Sequence, residues 1–406
     1  MQGSGRLSAA EAARRLGVSR DTLYAYVSRG LVRSERQEGT RRRLYRAEDV
    51  ETLRARKQGR RDPARAAEQA LHFGTPILES ALTLIADGGL YYRGWSVPGL
   101  AGSASIEDVA SLLWSGESWV SIPDAGVAIP PGQWERLSRM TADLPPIEAF
   151  QVALASFGAG DPAACDLAPD SVRRSGARIL RLLAAVAVGA PPSTRPVAEV
   201  LHQGWVPHRK SARHALDAAL VLWADHELNV GTFAARCVAS ARANPYAVVS
   251  AGLSALQGAR HGGTTEQVEA MWDEVRSPGR ARGVLEARLR RGERIPGFGH
   301  PLYPDGDPRA ALLLAIVRDL RARARELAVA DALDRETAAL VGRRPNVDFA
   351  VVALRRVLGM PRGSALALVA IARSVGWIAH ALEQYADERL IRPRARYTGR
   401  SPRAEP

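Results

Sequence analysis

The sequence predicts a mainly α protein in which a small helix-turn-helix unit of about 60 residues precedes a long helical body. Three observations carry that expectation. From about residue 65 onward, alanine-, leucine- and arginine-rich segments show 3.6-residue periodicity, and alternating β-branched runs are scarce. Ser8 and Ser19 stand where helix N-caps belong, with Gly17 and Gly30 at the matching ends. Charge is unevenly spread: residues 1–60 hold 15 Lys+Arg against 7 Asp+Glu, and the remaining 346 hold 41 against 36.

In the first unit, Ser8 and Glu11 have capping-box spacing, so a helix should start at Ala9 and stop at Gly17. Ser19 caps a second helix, Arg20 to Arg29, closed by Gly30. After it, 31–36 and 41–46 read as strands joined by Gln-Glu-Gly-Thr, and a third helix opens at Ala47 and runs to about Lys57. This order resembles the winged helix-turn-helix of the MerR and excisionase-like families over about 55 residues. The resemblance implies that the second helix enters a DNA groove, with Arg20, Thr22, Tyr24 and Tyr26 as candidate contacts and Arg41, Arg42 and Arg43 placing a wing on phosphates. The other reading makes Tyr24 and Tyr26 partly core and the module a protein-docking unit. A polar stretch with a helix breaker, 58–63, sets the first boundary near residue 60, and 61–74 is expected to be linker.

The body is long enough to bury a large core, and 46% hydrophobic against 24% charged content excludes disorder and collagen-like structure. Its Gly/Pro interruptions at 121–132, 158–162, 189–196 and 358–363 separate helices, and no fixed-period repeat points to a solenoid. Apolar runs such as 182–190 are about half of the roughly 20 residues a membrane helix needs, and the first 15 residues lack the apolar centre of a secretory signal. A cytoplasmic protein is expected. Two cysteines, Cys165 and Cys237, supply neither a disulfide framework nor a cysteine zinc site, and no metal is expected.

Three stretches break the helical background. In the first, His226, Asn229 and Phe233 fall at i, i+3 and i+7, which would put them on one helix face. In the second, Gly258-Ala-Arg-His261-Gly-Gly-Thr264, a capping box between Thr264 and Gln267 would start a helix just after the glycines. His261 would then lie before a helix N-terminus, where the dipole favours a neutral imidazole. The third, Arg294 to Arg309, is a Gly/Pro-rich loop carrying His300 and an arginine able to fork onto a carboxylate. Beyond it, Asp348 sits amid apolar neighbours, and Arg373 interrupts the apolar segment 367–382. A buried arginine needs a partner, either an acidic side chain such as Asp348 or Glu383 or an anionic ligand. Arg392 opens a basic tail.

These motifs, ADHE-x-N, HGG, PGFGH with DPRA, PNVDF, ARSVGWIAH and RPRARYTG, together with the earlier GGLYYRGW, resemble the citrate synthase family in order and approximate spacing over about residues 75–400. The resemblance implies a large helical domain, 75–261 and 346–406, and a smaller closing domain, 262–345. It implies condensation of acetyl-CoA or propionyl-CoA with oxaloacetate, the acyl-CoA being a substrate, with no cofactor. Asp348 would be the base, His261 the donor to the enolate oxygen, and His300 the group that polarises the oxo acid. His226, Asn229, Arg309, Arg373 and Arg392 would hold oxaloacetate, the last reaching in from a partner subunit of a homodimer. Arg294, Pro296, Gly297, Phe298 and Gly299 would lie near the CoA adenine.

The chain departs from the family pattern at Thr264-Thr265, where Ala-Asn is common, at Ala259-Arg260 before the HGG, after Phe349, and after His300. These differences bear on acyl preference and on phosphate contacts. Two functions therefore stand side by side: an active synthase with a DNA-binding or docking appendage, and a transcription regulator whose synthase body senses oxaloacetate or CoA esters without turnover.

Overall fold

In the computed structural model, which describes residues 6–29, 31–36, 43–47, 49–50, 53, 78–116, 122, 132–320, 324–395 and 397–400, the chain divides into two compact units, Met1–Glu79 and Ser80–Pro406. The described residues form 17 α-helices and two small sheets, so the mainly α expectation holds.

In the first unit the Ser8 capping box forms as read: Ser8 Oγ accepts the Glu11 N–H while Glu11 reaches back to the Ser8 N–H at 3.0 Å, and Gly17 ends the helix Ala9–Leu16 in the left-handed region. Ser19 caps the helix Arg20–Ser28 through the Thr22 N–H. Gly30 and the joining turn with Arg41 and Arg42 lie outside the described residues, as does the linker 61–74. Strands β2 (Ser34–Arg36) and β3 (Arg43–Arg46) pair antiparallel. A further strand without a signal in the sequence, β1 (Arg6–Ser8), pairs with the other side of β3. The core is Leu7, Ala12, Ala13, Leu16, Leu23, Val32, Tyr45 and Val50. Tyr26 packs against it, whereas Tyr24 is 50% exposed. The unit is further clipped by a two-pronged Arg33–Asp49 bond at 3.0 and 2.9 Å.

The second unit is built around the helix Ser364–Asp387, which packs against Ile106–Ser115, Pro146–Ala159, Pro169–Val188, Ala212–Trp223, Val230–Ser240 and Pro245–Leu256. By length and composition this helix would pass as a membrane span; it is instead almost wholly buried inside the protein. Close approach is bought with glycine at Gly252, where a Cβ would strike the Trp377 ring, and at Gly376.

A three-stranded meander, β4 (Thr83–Ala86), β5 (Gly89–Tyr92) and β6 (Trp95–Ser96), was not anticipated by the helical reading. Its two turns, Asp87-Gly88 and Arg93-Gly94, have positive φ at both central residues, the hairpin geometry that matches strand twist. The meander sends Tyr92 into the core, where its hydroxyl accepts the Asp225 N–H at 3.0 Å and donates to the Asp225 carbonyl at 2.9 Å.

Gly376 N–H donates to the Ala224 carbonyl at 3.0 Å, docking the loop after Trp223 onto the central helix. A methyl at position 376 would lie 2.5 Å from both that carbonyl and Asp225 Oδ1. Gly376→Ala is therefore expected to destabilise the protein by roughly 1–3 kcal/mol despite alanine's better helix propensity. Urea unfolding checks this, and an unchanged midpoint would contradict the close packing.

Candidate active site

Asp225 and His226 lie in the loop between the helices Ala212–Trp223 and Val230–Ser240. The expected single helix face of His226, Asn229 and Phe233 does not exist. The chain turns at Glu227, whose φ is +54°, and Asn229 caps the following helix by accepting the Thr232 N–H at 3.0 Å. The turn is fixed by Asp225, which also accepts the Glu227 N–H at 3.2 Å. His226 is thereby aimed away from the helix axis, and its Nε2 meets the Tyr303 hydroxyl at 3.0 Å.

His300 and Tyr303 come from the Gly/Pro-rich loop. The His226 and His300 rings meet edge to face at 5.3 Å, and the His300 and Tyr303 rings lie 5.0 Å apart. His300 Nδ1 accepts the Leu302 N–H at 3.2 Å. A neutral His300 must then carry its proton on Nε2, which makes that nitrogen a donor.

The same loop is pinned to the strand-like segment before Asp348. Asn346 N–H donates to the Gly297 carbonyl at 2.8 Å, and Gly299 N–H to the Arg344 carbonyl at 2.8 Å. Gly297, at φ +81°, leaves room that a Cβ would take from Val268 and Phe349. Asp307 then joins three parts: it accepts Arg309 Nε and Nη2 at 3.0 and 2.8 Å and the Val347 N–H at 3.1 Å. Arg309 is 2% exposed and stands beside the Tyr303 and Trp223 rings. Burial alone would raise the Asp307 carboxyl, and Arg309 outweighs that and holds it below its ordinary value.

Asn346 caps the helix Val347–Leu358 through the Asp348 and Phe349 N–H groups. Asp348 Oδ1 accepts the Thr265 hydroxyl at 3.0 Å. Burial pushes the Asp348 carboxyl up to about 6, against the pull of that hydroxyl and of Arg309. Thr265 is in the first turn of the helix Gly263–Val275, just past His261. The expected Thr264–Gln267 capping box is absent: Gly262 is the N-cap, and Gln267 donates instead to the Ala259 carbonyl at 3.2 Å. His261 Nε2 is buried and, among the described residues, has no hydrogen-bond partner. Burial first and the Arg373 charge second bring its imidazole down to about 4.

Arg373, on the central helix, is 2% exposed. Its acidic neighbour is neither Asp348 nor Glu383, as the sequence suggested, but Asp225, 3.4 Å away. Glu383 pairs with Arg236 at 3.3 Å and accepts the Ala81 N–H. Arg373 Nη2 donates to Thr232 at 2.6 Å, while Nε and Nη1 are buried without a partner among the described residues.

Burial, Arg309 and His300, then Arg373 and His261, hold the His226 ring well below its ordinary value, so these side chains bear on one another across a single cluster. Burial and then Arg309 bring His300 to about 4. The other candidates differ in exposure. Arg392 is exposed on the C-terminal tail and Arg294 is exposed at its loop, whereas Pro296, Gly297 and Phe298 are buried, the Phe298 ring lying tilted against Phe349 at 4.8 Å. Gly299 is half-buried. In the first unit Arg20, Tyr24 and Arg43 are exposed and Thr22 is half-buried against Ser19. Sequence reasoning passed over Asp225, Thr232, Thr265, Tyr303 and Asp307. Of these, Asp307 had a signal, standing two residues before Arg309 in the loop, and Thr265 had one as a departure from the family pattern.

The fold and the cluster define a large helical protein that buries neutral imidazoles, a raised carboxyl and two guanidinium groups together. Residues 71–394 match the family model described as citrate synthase, C-terminal domain, and residues 7–60 match that of the MerR HTH family regulatory proteins. The 2-methylcitrate synthase of Mycobacterium tuberculosis is 34% identical, covering 78% of this chain and 86% of its own. The citrate synthase of Mycolicibacterium smegmatis is 32% identical over 78% of this chain and 90% of its own. Among solved structures, the citrate synthase of Thermotoga maritima matches with a TM-score of 0.72 at 27% identity, over 83% of this chain and 97% of its own. The citrate synthase of Thermoplasma acidophilum, solved as a ternary complex with carboxymethyl coenzyme A and oxaloacetate, matches with a TM-score of 0.73 at 26% identity, over 82% and 96%. The chain belongs to the citrate synthase family, enzymes that join an acyl-CoA to oxaloacetate with the acyl-CoA as substrate and no cofactor.

Because the folded values of His261 and His300 lie below 6.5, the unfolded chain binds more protons between about 4 and 6.5. Both rings therefore withdraw stability as the pH falls through that window. Side-chain NMR of the histidines is expected to show both rings still neutral at pH 5.5; a midpoint near 6.5 for either would contradict their desolvation.

Proposed function

We propose that this chain condenses acetyl-CoA or propionyl-CoA with oxaloacetate to give citrate or 2-methylcitrate and CoA, and that residues 1–60 bind DNA. The observation that carries the first half is Arg373: a buried cation with two unpartnered nitrogens, beside neutral imidazoles, calls for a carboxylate ligand. Arg309 is a second buried guanidinium whose charge bears on His226, its Asp307 partner fixing two of its nitrogens. Arg392 would add a third guanidinium from the partner subunit of a homodimer. The segment Arg294 to Gly299 would face the CoA adenine, and 262–345 would close over the substrates as a small domain against 75–261 and 346–406.

In this reading Asp348 removes the α-proton of the thioester. A carboxyl held at about 6 is a stronger base than an ordinary aspartate while remaining ionised at neutral pH. The His261 Nε2, taken in the protonated neutral tautomer, donates to the developing enolate oxygen; a neutral donor suits an enolate because it need not give up a full proton. The enolate carbon attacks the oxaloacetate ketone, whose oxygen receives a proton from His300 Nε2, with His226 and Asn229 orienting the acid. Water then cleaves the thioester and frees CoA.

The DNA half rests on the net charge of residues 1–60, on the exposed Arg20, Tyr24 and Arg43, and on the likeness to MerR regulators. That likeness also supports a second reading, a regulator that binds oxaloacetate or CoA esters without turnover. A sensor needs the arginines but not the base.

Release of free CoA from acetyl-CoA and from propionyl-CoA with oxaloacetate tests the first half. Asp348→Ala is expected to lower the rate by about 10²–10⁴-fold, and a wild type no faster than this variant would decide for the sensor. Arg373→Leu is expected to raise KM for oxaloacetate by roughly 100-fold through loss of its charge-assisted bonds. In a gel shift with random duplex, the full chain should bind with steep salt dependence and an Arg20→Ala/Arg43→Ala variant more weakly; equal binding would remove the proposed DNA surface.

A further inference from the structure

We infer that Thr265 is a positioning residue for the base: its hydroxyl holds Asp348 Oδ1, keeps the carboxyl ionised, and leaves Oδ2 to take the substrate proton. This rests on the synthase reading above. The geometry is specific. Thr265 is 1% exposed and donates to Asp348 Oδ1 at 3.0 Å across two helices, Gly263–Val275 and Val347–Leu358. Asp348 has its backbone fixed by the Asn346 cap at 3.1 Å, so the hydroxyl fixes the remaining freedom, the side-chain torsions. At the same time Thr265 lies in the first turn after His261, so one short segment carries both the enolate donor and the anchor of the base.

A hydrogen bond to the ionised form favours it. The charges that bear on Asp348 are Arg309, which also favours ionisation, and Asp307, which opposes it; burial works against it more than either. Thr265 is thus the neutral member of the set, and it can be removed without altering net charge. A carboxyl in a desolvated place that lost this donor would remain protonated at higher pH and rotate more freely. Both effects would be felt in the abstraction step and neither in oxaloacetate binding.

The test compares Thr265→Val, which keeps the shape and removes the donor, with Thr265→Ser, which keeps the donor. For Thr265→Val the acid limb of the pH profile of kcat/KM should move up by about one unit. The rate at pH 6 should fall about five-fold, with a smaller loss at pH 8.5 and an unchanged KM for oxaloacetate. Thr265→Ser should follow the wild type. If Thr265→Val does not fold, Thr265→Ala is expected to give the same shift. The carboxyl of Asp348 is also titrated by ¹³C NMR without substrates, using Asp348→Asn to assign it. A folded Thr265→Val or Thr265→Ala protein with unshifted profile and titration overturns the inference, as does a uniform loss at all pH values. A wild type that releases no CoA, yet whose carboxyl titration moves in Thr265→Val, overturns the synthase reading alone and upholds the hydrogen bond.

Discussion

The carboxylate of Asp225 has no exposure to solvent, and its partners come from three separate segments: Thr83 of the meander, the Glu227 N–H of its own loop, and Arg373 and His380 of the central helix, with Tyr92 of the meander holding its backbone. Burial disfavours the charge, but His380 and Arg373 bring the group to about 2. A buried ion pair adds little net stability over an apolar pair, whereas removing one member of it costs about 3–5 kcal/mol. What the arrangement secures is position. His226 is aimed, Arg373 is held by one nitrogen with two left over, and the meander is tied to the carboxylate through Thr83, beside its bonds from Tyr92 to Val221 and from Arg93 to Leu113.

The rest of the cluster follows from the same economy of solvent. Desolvation is the leading cause of the low imidazole values at His226, His261 and His300 and of the high carboxyl value at Asp348. The buried guanidinium groups add to the lowering, Arg373 at His261, Arg309 at His300 and both at His226, whereas Arg309 opposes the rise at Asp348. The proposed synthase chemistry calls for neutral donors and a strengthened base, and one buried enclosure brings low imidazole values and a raised carboxyl together. Asp307 and Asn346 make this enclosure rigid, since each ties the Gly/Pro-rich loop to the start of the helix that carries Asp348.

The first unit is organised by local signals. Its Ser8 and Ser19 caps, its Gly17 stop and its small core would suffice to specify a helix-turn-helix, and basic residues among those described, such as Arg20 and Arg43, fall on its exterior. Removal of Tyr26 from the surface and retention of Tyr24 there divide the two aromatic residues between core and exterior, a division that periodicity alone left open.

Helical periodicity, N-caps and the ordered His, Asp and Arg motifs were enough to anticipate a mainly helical protein and the side chains that now stand in one cluster. Those signals are local: each lies within a turn or a loop of a few residues. The Asp87-Gly88 and Arg93-Gly94 hairpins were equally local and were passed over because the apolar residues around them also suit helices. The His226 face and the Thr264 cap were misread for a different reason. In both places another contact competes for the chain: Asp225 with its meander and central-helix partners bends the loop, and the close packing of Gly262 on nearby Leu256 goes with an N-cap two residues earlier than Thr264. Which acid meets Arg373, and that Thr265 meets Asp348 across 83 positions of sequence, depended on packing between segments far apart in the chain. A buried charge accepts whichever partner the fold delivers, and only the tertiary structure decides that delivery.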